Sequence, residues 1–113
     1  MQRSLSLKKN AQFAYVHRRG VSQADRRLVL LYAKGSRLLI GFSVSKKLGN
    51  AVARNRIKRL LRECVRPCVS GLRRGSYVLI ARQGAAGADF GELKQSVLGL
   101  LKRAKLYTPP DNV

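Results

Sequence analysis

Between Ser43 and Glu63 the chain reads SVSKKLGNAVARNRIKRLLRE, seven cationic side chains and one acid in a single run. Like charges at helical spacing repel one another, so this segment is suited to meeting a polyanion outside the chain. Arginine outnumbers lysine in it, and a guanidinium fork fits a phosphate through two parallel hydrogen bonds. Asn55, between Arg54 and Arg56, adds an amide that both donates and accepts, a chemistry suited to a ribose hydroxyl or base edge. Gly49 and Asn50 lead into a helix start, where free N–H groups and the helix dipole favour an anion.

A basic helix face is commonly no more than a solvated surface. Three features argue otherwise here: Glu63 is the only acid in the run, Lys46 and Lys47 extend the charge into the entering loop, and arginine predominates on the helix. The whole chain points the same way, with 24 Lys and Arg against five acids and a formal net charge of +19. Self-repulsion on that scale opposes compaction and is relieved by a polyanion, for which nucleic acid is the leading candidate. Catalytic chemistry finds little to use. His17 is the only histidine, and Asp25, Glu63, Asp89, Glu92 and Asp111 are scattered, forming neither a general acid–base pair nor a two-metal carboxylate site. Cys64 and Cys68 lack the further ligands that a structural zinc needs and read as reduced, buried thiols. No catalytic residue and no metal ligand is expected on this chain.

The elements that must position the basic run follow from periodicity. Ile57, Leu60, Leu61, Cys64, Val65 and Cys68 recur at the spacing of one buried helical face, with Pro67 closing or kinking the helix. Asn10–Arg19 reads as a first helix, with Asn10 as a cap and Gly20 as its stop. Arg26–Ala33 and Leu38–Ser45 read as strands joined by KGSR into an antiparallel hairpin. Tyr77–Arg82 is a third strand, and Phe90, Leu93, Val97, Leu100 and Leu101 mark a last helix, with Asp89 and Glu92 at its positive end. The expected class is α+β, a small sheet packed by helices in the order α-β-β-α-β-α. One domain spans residues 1–113, ordered over about 7–107, with a disordered tail from Tyr107–Thr108 to residue 113. No apolar run approaches the ~20 residues that cross a bilayer, and the N-terminus MQRSLSLKKNAQF has no apolar signal core. A cytoplasmic protein with no membrane or small-molecule partner is the expectation.

The segment ARNRIKRLLRE, preceded by SVSKKLGNAV, resembles the RNR motif of the bacterial ribonuclease P protein subunit. LKKNAQFAYVHRRG, YVLIARQGA and LLKRAKLY agree with the same family in order and spacing, so the resemblance covers about residues 7 to 107. It implies a protein that binds a catalytic RNA and the single-stranded 5′ leader of precursor tRNA. It would assist Mg²⁺-dependent endonucleolytic removal of that leader, with Mg²⁺ and the chemistry held by the RNA. Arg54, Asn55, Arg56, Lys58, Arg59 and Arg62, with Lys46 and Lys47, match the family's RNA-contacting helix and loop. Phe13, His17, Val29 and Leu31 match positions lining a leader cleft between the first helix and the sheet. The chain departs from the family at His17 and Leu31, where aromatics are common; Tyr32 is adjacent but points to the opposite face by strand alternation. Stacking is worth ~1–3 kcal/mol per base, so leader binding here is weaker or differently tuned. The resemblance also implies a left-handed β-α-β crossover through the basic helix, against the usual right hand. Composition alone would favour a ribosomal or other structural RNA-binding protein; the RNR run and the aromatic-bearing first helix argue against it. Non-specific DNA binding has no helix-turn-helix or finger pattern behind it.

Overall fold

The computed structural model describes residues 10–109. Within them the chain forms α1 (Asn10–Arg19), β1 (Val21–Ala24), β2 (Leu28–Lys34), β3 (Leu38–Val44), α2 (Ala51–Val65), β4 (Gly75–Ala81) and α3 (Phe90–Arg103). Short 3₁₀ turns precede α2 at Lys46–Leu48, follow it at Arg66–Gly71 and lie between β4 and α3 at Gln83–Ala85. Pro67 sits in the first turn of the 3₁₀ segment after α2, where its missing N–H costs nothing. The class is α+β, a four-stranded sheet packed by helices. The expected order lacked one strand, β1. Its sequence VSQA is mostly exposed at the sheet edge, so no apolar pattern announces it.

The sheet runs β1-β2-β4-β3. β2 and β3 therefore do not form the hairpin that their short connection suggested. β4 enters between them, antiparallel to β2 and parallel to β3. Gly75 makes this entry possible: it is in register with Lys34 on one side and Leu38 on the other. Its φ is +144°, and a Cβ there would lie 2.6 Å from the Ala33 carbonyl oxygen, so only glycine fits.

Alternation along the strands makes two cores. On one face Leu28, Leu30, Ile40, Val44, Tyr77, Leu79 and Ala81 pack beneath α2 and α3, which contribute Ile57, Leu61, Cys64, Leu93, Val97 and Leu100. On the other face Leu31, Ala33 and Val78 meet Val16 of α1, flanked by half-buried Phe13, Val29, Leu39 and Ile80. α3 begins with a reciprocal cap: the Asp89 carboxylate accepts the Glu92 N–H at 2.8 Å, and Glu92 accepts the Asp89 N–H at 3.1 Å. That arrangement satisfies two orphan donors at once. The start of the tail is held, contrary to the expected disorder: Leu72 bridges Tyr107, and the Thr108 N–H donates to the Gly71 carbonyl at 2.9 Å. Residues 7–9 and 110–113, and the capping side chain of Asn10, lie outside the described residues.

Candidate nucleic-acid interface

Two local caps in tandem set the start of α2. Ser45 accepts the Lys47 N–H at 3.0 Å, and Asn50 accepts the Ala53 N–H at 3.0 Å. Gly49, at φ +134°, makes the bend between them. Lys46 and Lys47 are thereby presented, exposed, just before the helix N-terminus, where backbone N–H groups already favour an anion.

α2 then buries Ile57, Leu61, Cys64 and Val65. At about 100° per residue this leaves Asn55, Arg56, Arg59 and Arg62 on the far side, where with Val52 they line a shallow open groove. Val52 is 78% exposed; it had no place among the candidate residues, since nothing in its type marks it. Arg54 and Lys58 do not join this groove. Both are half-buried on the flank of the helix, about 35° and 75° round from the middle of the buried arc, against about 125° for Arg56. The Nε of Arg54 is buried and has no hydrogen-bond partner among the described residues. An unpaired buried donor carries a desolvation penalty, which an incoming acceptor would relieve. Arg56 donates to the Ala88 carbonyl at 3.3 Å, holding its guanidinium at the seam with α3.

The cleft candidates divide likewise. Phe13, Val29 and Leu31 come together under α1, with Leu31 9% exposed and the other two half-buried. His17 is exposed on the neighbouring turn of α1. Among the described residues α1 packs mainly on β2 and β4, and Leu39 and Ile80 stand half-buried beside it as an extension of the apolar floor. These two also escaped the sequence reading, because their parity depends on the pairing of β4. Tyr32 turns to the sealed side as alternation requires: its ring lies 4.9 Å from that of Tyr77, tilted by 60°.

The described acids serve the fold. Asp25 accepts the N–H groups of Arg27 and Leu28, each at 2.8 Å. Burial pushes its carboxyl up, but these hydrogen bonds, with Ser96 and the Arg27 charge, outweigh that and hold it below the usual carboxylate range. Glu92 pairs with Arg27 at 3.2 Å, and Glu63 pairs with Arg66 at 3.5 Å on the surface. Cys64 and Cys68 are free and buried. Burial pushes the Cys64 thiol up to about 11 and raises Cys68 as well, so neither is a ready nucleophile.

With this geometry in hand, the relatives are informative. The family model for ribonuclease P matches residues 1–105. The chain is 42% identical over 110 residues to the ribonuclease P protein component of Bacillus velezensis, covering 95% of each chain. It is 46% identical to that of Brevibacillus brevis, covering 94% of this chain and 87% of the relative. Among solved structures, the RNase P protein of Staphylococcus aureus superposes with a TM-score of 0.87 at 36% identity, over 92% of this chain and 98% of that one. The RNase P protein of Thermotoga maritima gives 0.78 at 28% identity, over 87% and 96%. The chain therefore belongs to the ribonuclease P protein family, an RNA-binding component of the endoribonuclease that processes tRNA.

Proposed function

We propose that this protein grips two RNAs on two surfaces: the catalytic RNA of ribonuclease P on α2, and the single-stranded 5′ leader of precursor tRNA in the groove beneath α1. The observation that carries the reading is the double face of α2, sealed to the core by Ile57 and Leu61 and bare on the side of Asn55, Arg56, Arg59 and Arg62. Lys46 and Lys47 extend that side at the helix start, and Arg54 and Lys58 reach an RNA wrapping the flank. Phosphates crossing this surface are neutralised, which lowers repulsion between catalytic RNA and substrate. Phe13 and the apolar floor at Val29 and Leu31 offer a stacking and packing surface to unpaired bases, with His17 at the rim.

The described carboxylates do not fit a Mg²⁺ site. Asp25 is committed to backbone N–H groups, Asp89 and Glu92 to the α3 cap, and Glu63 to Arg66, whereas Mg²⁺ asks for free, convergent oxygens. The reaction's metal and its bond-breaking steps are accordingly assigned to the RNA subunit, and the location of the work to the cytoplasm.

Precursor-tRNA cleavage by the matching RNA at low Mg²⁺, with and without the protein, tests this reading. The protein is expected to raise kcat/KM strongly. An unchanged rate, together with ribosomal RNA as the co-purifying partner, would replace it with a structural RNA-binding role.

A further inference from the structure

Phe90 opens α3, yet the start of that helix is secured without its ring. Asp89 and Glu92 cap each other's N–H groups. The apolar residues that brace such a start, one before the cap and one in the following turn, are Ala88 and Leu93, both buried. Phe90 and Val97, seven residues apart, lie within about 20° of each other on the helix. Val97 is fully buried, whereas Phe90 is 40% exposed. The ring therefore overhangs the end of the core at the seam with α2, where the Cys64 thiol donates to the Phe90 carbonyl at 3.9 Å.

Two cations reach the same corner. The Nζ of Lys94, one turn on, lies 5.9 Å from the ring centre. The Arg56 guanidinium is held on the Ala88 carbonyl, two residues before the ring, and Arg56 also lines the basic groove of α2. The seam thus continues that groove onto α3. Lys94 is exposed and has no acidic partner among the described residues. The neighbouring acids are engaged elsewhere: Asp89 is in the cap, and Glu92, about 160° round from Phe90, pairs with Arg27. The approach beside the ring is open, since a Cβ on Gly91 would meet no side chain beyond its chain neighbours nearer than the Asp89 carboxylate, at 3.5 Å.

A single exposed apolar side chain is an ordinary surface feature. A ring between two cations at the edge of a phosphate-binding groove has a more specific use, because a base can stack on the ring while its phosphates meet the cations. We propose that Phe90 and Lys94 extend the RNA interface from α2 onto α3, with Phe90 stacking an unpaired base of the catalytic RNA and Lys94 and Arg56 holding the adjoining phosphates. The inference rests on α2 being the surface for that RNA. It adds a contact that charge alone does not supply: the interface distinguishes an RNA with a splayed-out nucleotide at this point from an uninterrupted duplex of equal charge.

The test measures the affinity of the ribonuclease P RNA, and of an uninterrupted RNA duplex, for full-length wild type, F90A, F90L and F90W. F90A and F90L should each bind the ribonuclease P RNA about tenfold more weakly, with the salt slope of wild type, since stacking releases no counterions. Neither should change on the duplex. The chain has no tryptophan, so F90W places a single reporter at the site; it should bind as wild type does, with its emission quenched as the complex forms. F90L binding as tightly as wild type would overturn the stacking contact in favour of plain packing. Equal losses on both RNAs, a shallower salt slope, or unquenched tryptophan at saturation would overturn it as well. Should F90A not fold, F90L and F90W carry the same comparison. A flat salt response of wild type would remove the α2 reading and this extension together, whereas a steep response with no loss in F90L would remove the extension alone.

Discussion

The two faces of the sheet use the same alternating strands to opposite ends. One is closed by two helices, α2 and α3, and holds nearly all the large buried side chains. The other receives one ten-residue helix and keeps Phe13, Val29, Leu39 and Ile80 only half-covered. Leu79 and Ile80 are neighbours in β4, yet Leu79 is 3% exposed while Ile80 stands at the edge of the open face. The contrast separates stability from binding. The closed face can carry the fold, which leaves apolar surface on the open face free for unpaired bases.

The strongest way to break that contrast is truncation on either side of one strand. Leu79→Ala should cost about 2–5 kcal/mol in urea unfolding, as deletions in closed cores do. Ile80→Ala should cost well under half as much and instead weaken binding of precursor tRNA. Equal stability losses would erase the distinction between the faces. A middle-sized effect is expected from Phe13→Ala, which should remove about 1–3 kcal/mol of leader affinity without altering affinity for the catalytic RNA; titration of the two RNAs separately reads both. The smallest effect concerns the rim of the closed face. The carboxyl of Asp25 is held below its ordinary range, so its contribution to stability is present above that ordinary value and is lost as pH falls through the folded one. Melting curves below about pH 4 should therefore be less pH-dependent for Asp25→Asn than for wild type.

How much of this could be read in the sequence varied with the physics of each part. α1, α2 and α3 were visible because amphipathic spacing and caps are local; of the set read from spacing, Ile57, Leu61, Cys64, Val65 and Cys68 are buried and Leu60 is only half-buried at its margin. Pairing was not local. The Lys34–Arg37 turn looks like a hairpin, and only the insertion of Gly75 between β2 and β3, forty residues later in the chain, shows otherwise. In the interface, the sequence set Arg54 and Lys58 on the same exposed side as Asn55, Arg56, Arg59 and Arg62; only the latter four line the groove, while Arg54 and Lys58 are half-buried on the flank, with the Arg54 Nε unpartnered among the described residues. The apolar run YVLIA in β4 has large side chains at both parities, so Ile80 could not be assigned to the open face before the register of the sheet was known.

The central claim is that the exposed side of α2 is an RNA-binding surface and not a solvated one. It is tested most directly by measuring the affinity of the ribonuclease P RNA for wild type and for R56E/R59E/R62E between 50 and 200 mM salt. Wild type making six to ten phosphate contacts should lose about 10³–10⁵ in affinity over that range, and the variant should bind far more weakly, with a slope shallower by about 0.9 per lost contact. A folded variant that binds as tightly as wild type, with the same salt slope, would contradict the account.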